Sequence, residues 1–413
     1  MISPLLSIWK RNRKTIIPIL IVALLLRLAV LAATTPYTTE LNDQKIFEIA
    51  TEYLFDGKDL YAADIEQTET PFRTQLIRNY PYGPFPTWIF AALTMIGEMV
   101  HVKFGILLRL LNIGVDLLLT FLIFVTAIRL KLDAKLLGWL YALNPLTIII
   151  TAYHGQLDVL TIFFAFLAVY VLLFSGNDKK HIGAGLLLGV SIAIKMFTIL
   201  LWPWFIARLK GWKKRVLFTI LAGLPFALSF LTVLTSENVG HAIRQVLLYG
   251  GAGAESGIIL TLKAVGMERI ASLYHVAGKY ILLLTVCAAA VLFWRRLSLM
   301  EGMALSFLIA MVVAPTMGVQ YFVWFLPFYL LSGFFRLRQS LIQLGILTAA
   351  MGLFYLYHAV GIGVFAGIGI TPDMRPVFVA AFSVFMWLAW AGFVWLTVDA
   401  LRTMTARTKK LHA

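Results

Sequence analysis

The chain has 413 residues, of which 61% are hydrophobic and only 13% charged. Soluble globular chains carry roughly 45–50% apolar and about 25% charged residues, so this composition excludes a water-soluble fold. The net charge of +15 does not form a nucleic-acid-binding stripe: the basic residues Lys10 to Lys14, Arg208 to Arg215, Arg295 and Arg296, Arg336 and Arg338, and Arg402 to Lys410 cluster at the ends of apolar runs, as in the positive-inside pattern, and meet anionic membrane lipids there.

A bilayer core about 30 Å thick needs about 20 apolar residues per helical crossing. Apolar runs at 16–33, 86–100, 106–128, 136–152, 159–174, 182–206, 216–235, 277–294, 302–317, 320–335, 341–360 and 377–400 predict an all-α, polytopic transmembrane bundle of about 11–13 membrane segments. Short alternating strands of a β-barrel are not the pattern here. The first run is long for a signal core and is interrupted by Arg27, so it reads as a span and not a cleaved leader.

A long polar stretch follows, from Thr34 to about Tyr82. Glu40, Asp43, Glu48, Glu52, Asp56, Asp59, Asp64, Glu66 and Glu69 outnumber Lys45, Lys58, Arg73 and Arg78 in it. With the basic N-terminus inside, this acidic loop lies outside. Ile46, Phe47, Ile49, Ala50, Tyr53 and Leu54 share one helical face within it, which predicts a helix lying in the membrane interface.

Two arrangements compete for the first half. In the expected one, 86–100 spans, 182–206 is one tilted helix, and residues 153–158 sit near the cytoplasmic side. In the other, 86–100 lies in the interface and 182–206 is a broken pair, which moves those polar residues outside. Segment length favours the first and the charges from Arg129 to Lys135 favour the second.

A second polar stretch runs from Ser236 to about Val276, with His241, Arg244 and the glycine-rich run 250–253, which reads as a flexible loop. The expected organisation is therefore a membrane module over 1–235 that includes an external loop at 34–85, a second external loop at 236–276, and C-terminal membrane helices over 277–413, with both termini cytoplasmic. Cys287 is the only cysteine, which excludes an internal disulfide and a cysteine-based metal cluster.

Charged groups at bilayer depth are costly and mark functional candidates. Asp43 stands just after the first span, suited either to a general base or to capping the helix that follows. His154, Gln156 and Asp158 interrupt two apolar runs after Asn144 and Pro145; His154 and Asp158 have the spacing to share one helix face. Irregular backbone at that depth is tolerated where it lines protein or a wet cavity. Lys195 lies mid-run, too deep to snorkel easily, and reads as a buried cation facing a phosphate. Near the outer side, an aromatic belt explains Tyr321 and Trp324 but not Gln320.

These segments, taken in order, resemble the GT-C superfamily of polyprenyl-phosphate-sugar-dependent glycosyltransferases. The likeness is to the enzyme adding the first mannose to glycosylphosphatidylinositol anchors and to prokaryotic polyprenyl-phosphate-mannose mannosyltransferases. It covers about residues 16–330 and rests on Asp43 with Phe47, Asp56-Gly57 with Leu60-Tyr61, Tyr80-Pro81-Tyr82-Gly83-Pro84, Asn144-Pro145-Leu146, His154-Gly155-Gln156-Leu157-Asp158, the glycine-spaced run 183–189 ahead of Lys195, and Gln320-Tyr321-Phe322-Val323-Trp324. The family's first loop typically carries an acidic pair with one residue between; here Asp43 matches the second member and Leu41 occupies the first, so no metal is expected.

The resemblance implies a GT-C-like fold and inverting transfer of a hexose, with mannose the expected sugar, from a polyprenyl-phosphate donor to a lipid or glycan acceptor. The reaction would take place at the external face of the cell membrane. Asp43 is then the catalytic base. The leaving phosphate needs a cation, with Arg244 first and Lys195 second. Tyr82, His154, Gln156, Asp158, Gln320 and Tyr321 would line the pocket. No cofactor is expected, since no P-loop or Rossmann fingerprint occurs. The competing reading is a membrane transporter or lipid-linked-sugar flippase, although no internal repeat of the kind such proteins carry is evident.

Overall fold

The computed structural model describes residues 2–38, 42–61, 67–70, 73–76, 80, 82–234, 236, 238–248, 254–361 and 375–412; for some of these, including 42 and 43, it describes the backbone alone. The fold is all-α, as expected, and divides into two compact units, residues 1–199 with 211–249 and residues 200–210 with 250–413.

In the first unit, α1 (Ile2–Thr38) leads into α2 (Asn42–Phe55) and a short antiparallel pair, β1 (Gln67–Thr70) and β2 (Arg73–Leu76). Then come α3 (Phe85–Val100), α4 (Phe104–Arg129), α5 (Ala134–Ala142) and α6 (Pro145–Ile149). A π-helical turn (Ile150–His154) precedes α7 (Asp158–Phe174) and α8 (Lys180–Ile194), and a 3-10 turn (Met196–Leu201) follows. The second unit begins with α9 (Trp202–Arg208). The chain returns to the first unit for α10 (Trp212–Phe230) and α11 (Val239–Leu248).

The rest of the second unit comprises β3 (Ala254–Glu255), α12 (Gly257–Ala264), α13 (Glu268–Phe293), α14 (Leu299–Val313), β4 (Thr316–Met317), α15 (Phe322–Leu330), α16 (Leu337–Gly361) and α17 (Arg375–His412). Its interior is drawn together by tryptophans. The Trp204 indole donates to Ser306 Oγ at 2.7 Å, and the Trp390 indole donates to the Val312 carbonyl at 2.9 Å. Gly302 and Gly257 make room for these rings; a Cβ there would stand 2.3 Å and 2.2 Å from them.

Among the described residues, four helical stretches are long and apolar enough to cross a membrane: Ser7–Pro36, Phe104–Arg129, Glu268–Phe293 and Val384–Arg407. The bent pair Ala134–Ala142 and Pro145–His154 adds a fifth if counted as one span, and six further apolar helices are shorter. Several of the expected runs are thus continuous in hydropathy but broken in backbone. The bend of 50° in that pair falls at Asn144, whose side chain accepts from the amides of Leu146 and Thr147 and caps α6. Proline at the first helical position, where an amide would be unpaired anyway, favours a fresh start there. The expected single helix over 182–206 is likewise broken: Lys195 adopts an extended backbone (φ −155°, ψ 118°) between α8 and the 3-10 turn.

The core of the first unit is built around a charge. Arg27 on α1 and Asp116 on α4 are both fully buried and pair at 2.5 Å. Arg27 also donates to the carbonyls of Ala23 and Ala142, and the Tyr141 hydroxyl donates to Asp116 at 2.7 Å, so α1, α4 and α5 share one polar node. Removing one partner of such a pair leaves an uncompensated buried charge, at a cost of about 3–5 kcal/mol. Asp116→Leu alone is expected to lower unfolding stability in detergent by about that much, and Arg27→Met added to it to restore most of the loss. Equal destabilisation by the single and double variants would contradict this account.

Candidate functional site

The polar residues of interest in the first unit come from breaks between its helices. The π-helical turn ends at Gly155, which takes a left-handed backbone (φ +70°) that L side chains adopt at a cost. The helix ends at this residue, so His154 and Asp158 belong to different helices and do not share a face as the four-residue spacing suggested. Asp158 opens α7 and is fully buried.

The Lys195 ammonium meets Asp158 Oδ2 at 2.9 Å, Asp158 Oδ1 at 3.0 Å and Gln156 Oε1 at 3.3 Å. Those three contacts match the three donors that an ammonium has. Asp158 is thus a counter-ion of Lys195 within the protein. Tyr82 completes the cluster: its hydroxyl donates to Gln156 Oε1 at 3.4 Å, and Lys195 Nζ lies 5.8 Å from its ring centroid.

Helix α8 reaches this position through its glycines. A Cβ on Gly189 would stand 2.7 Å from the Leu221 carbonyl and from Pro225, and one on Gly185 would stand 3.2 Å from the Phe218 carbonyl. The glycine-spaced run thus serves close packing of α8 on α10. At its end, Ser191 Oγ bonds the Thr161 carbonyl at 2.7 Å and Thr198 Oγ1 at 3.0 Å, supporting the break at Lys195.

The first loop packs on the same cluster. Phe47 of α2 is fully buried, stacked on Phe90 at 4.3 Å and edge-on to Tyr82 at 5.3 Å. The apolar face predicted for a membrane interface is therefore largely buried in protein, although Leu54 remains exposed. Gln44 donates to the His154 carbonyl at 3.3 Å. Residues 153–158 consequently lie at the same end of the unit as the first loop, and not at the opposite end as the preferred arrangement had it. Both flanks of α3 also approach this end, since Tyr82 touches Gln156 and a Cβ on Gly105 would meet Gln44.

Beyond α2, Gly57 (φ +65°) turns the chain into Asp59, which accepts from Ser236 Oγ at 2.5 Å, Asn238 Nδ2 at 2.7 Å and the Tyr61 amide at 2.9 Å. Tyr61 in turn donates to the Tyr82 carbonyl at 2.8 Å. Tyr61, Tyr80, Ala50, Ala242 and Val246 form one buried cluster that seats α11.

The structure thus brings together Tyr82, Gln156, Asp158, Lys195 and the backbone of His154. Arg244 is exposed, on the face of α11 away from the buried Ala242 and Val246, and does not join them. Gln320 and Tyr321 belong to the second unit, where Tyr321 stacks on Trp324 at 3.7 Å. Asp43 stands in the first turn of α2, directly before Gln44; its side chain lies outside the described residues, as does the glycine-rich run 250–253. Arg109, Asn112 and Asp116 fall outside the expected set although they carried the same signal as Lys195. They are polar residues inside an apolar run, at spacings of one helical face. Arg109 and Asn112 are buried, and Arg109 Nη1 and both amide atoms of Asn112 have no hydrogen-bond partner among the described residues.

Two outcomes test this geometry. Gly155→Ala would impose strain at positive φ and place a Cβ 2.8 Å from Gln44 Nε2 and 3.1 Å from Arg109 Cγ. Calorimetry is expected to show a stability loss of about 1–3 kcal/mol, and a neutral variant would refute the tight turn. For Asp59, burial pushes the carboxyl up, but hydrogen bonds from Ser236, the Tyr61 amide and Asn238, with His241 nearby, outweigh it and leave the group below the ordinary 3.8. A depressed carboxyl stabilises the fold above its unfolded value and loses that contribution as pH falls through the folded one. Hydrogen exchange at residues 56–61 is expected to stay slow from neutral pH down to about 4 and to quicken below it. Asp59→Asn should abolish that acid step.

Residues 50–210 match the model of a family described as alpha-(1->6)-mannopyranosyltransferase, N-terminal domain. No curated protein matches the chain. The matched stretch contains Tyr82, Gln156, Asp158 and Lys195, and over it the chain is similar to a mannosyltransferase family, which supports a glycosyltransferase.

Proposed function

We propose that the protein is an inverting mannosyltransferase that uses a polyprenyl-phosphate mannose donor and acts at the external face of the cell membrane, with both termini cytoplasmic. The observation that carries this reading is the match of residues 50–210 to a mannosyltransferase domain that holds the Lys195–Asp158–Gln156–Tyr82 cluster. The first turn of α2, with Asp43, adjoins that cluster through Gln44 and His154.

In the proposed reaction the acceptor hydroxyl attacks the anomeric carbon from the face opposite the phosphate, and its proton passes to the Asp43 carboxylate. The bond from the anomeric carbon to the phosphate oxygen breaks with its electron pair moving to oxygen. The transition state has oxocarbenium character, as in inverting glycoside hydrolysis. The polyprenyl phosphate leaves as an anion, and Arg244, exposed on α11 and outside the cluster, is the cation proposed to meet it there. Lys195 has its donors engaged by Asp158 and Gln156, so its part is to hold Gln156 and Tyr82 against the sugar. The lipid chain keeps the donor in the bilayer plane, which replaces a free encounter by a positioned one.

The test is transfer of labelled mannose from polyprenyl-phosphate mannose to a membrane-lipid or oligomannoside acceptor by the purified full chain. Asp43→Asn is expected to lower the rate roughly 10²–10⁴-fold with an unchanged unfolding midpoint, the range for losing a general base. Counterflow of the lipid-linked sugar in liposomes with no transfer would replace the enzyme by a transporter.

A further inference from the structure

The geometry points to Gln44 as the positioning residue that fixes the first turn of α2 and, with it, the catalytic base. This rests on the reading of Asp43 given above. Gln44 is 2% exposed, and its amide fits a slot made by two glycines. A Cβ on Gly105 would stand 2.4 Å from its Oε1, and one on Gly155 would stand 2.8 Å from its Nε2. The two walls come from α4 and from the turn after the π-helix, and each is braced within its own element. Arg109 Nε donates to the Gly105 carbonyl at 2.9 Å, and the Gly155 amide donates to the Ile150 carbonyl at 3.2 Å.

Packing alone would not ask for an amide at this position. One turn further on, Phe47 already anchors α2 by an apolar contact with Phe90. A buried primary amide is costly unless it is bonded, and here it spends a donor on the His154 carbonyl. An apolar anchor resists separation but tolerates sliding and rotation, whereas a directional bond inside a slot fixes both. The two anchors together set the height and rotation of the turn that carries residue 43, relative to the turn that carries Gln156 and Asp158. A general base needs that precision, since a displacement of about 1 Å costs about 100-fold in rate.

The experiment compares Gln44→Ala, Asp43→Asn and the double variant in the full-length protein, with polyprenyl-phosphate mannose as donor. Gln44→Ala is expected to lower kcat about 30- to 100-fold while the donor KM stays within about threefold, and to cost nothing more in the Asp43→Asn background. A rise in KM at unchanged kcat, or a kcat loss as large in Asp43→Asn as in the parent, would overturn the positioning role alone. Full activity of Asp43→Asn would instead overturn the base assignment. Should Gln44→Ala not fold, Gln44→Met fills the slot without the bond to His154 and is held to the same outcomes.

Discussion

A fully buried carboxylate in an apolar protein has to find a cation, and in this chain the meeting of Asp158 with Lys195 determines how the first unit is arranged around it. The pair needs Asp158 at the start of one helix and Lys195 past the end of another. Both helices are therefore interrupted close to the same point. Interrupted backbone inside an apolar unit leaves amides and carbonyls to be satisfied; the Thr161 hydroxyl donates to the Leu157 carbonyl and the Thr198 hydroxyl to the Lys195 carbonyl. What hydropathy alone would draw as long spans becomes a set of shorter helices that converge on one polar cluster.

Small residues let the convergence happen. Gly185 and Gly189 bring α8 onto the backbone of α10, and Gly105 with Gly155 open the slot for Gln44. A second buried pair, Arg27 with Asp116, ties α1 to α4 within the same unit and has Tyr141 of α5 as a further ligand. One pair thus organises the scaffold, and the other organises the site proposed for sugar transfer. The difference is visible in their surroundings: Arg27 is completely enclosed, whereas Lys195 keeps partial exposure beside Tyr82 and Gln156.

The second unit follows different rules. Its interior is fixed by indoles donating to Ser306 and to the Val312 carbonyl, and its polar residues gather on α14, α16 and α17. Arg407 pairs with Glu301 there, and Asp399 accepts from Gln339 and Gln343. Long helices such as α13 leave most of their apolar side chains uncovered, as expected of helices that face lipid.

Composition and run length were enough to fix the membrane class and the all-α fold, because in lipid a long continuous apolar run satisfies its backbone groups within a helix, and the alternation of a barrel strand is not the pattern here. The mid-run position of Lys195 and the interruption at 153–158 also marked the polar cluster from sequence, since charge and irregular backbone at that depth are too costly to be casual. Pairing was another matter. That Lys195 meets Asp158, that Gly155 separates His154 from Asp158, and that Gln44 reaches across to the His154 carbonyl depend on residues far apart in the chain, whose approach no local pattern encodes. The break at Lys195 was hidden for the same reason: its neighbours are apolar and good helix formers, and the extended backbone there is imposed by the tertiary partners of its side chain.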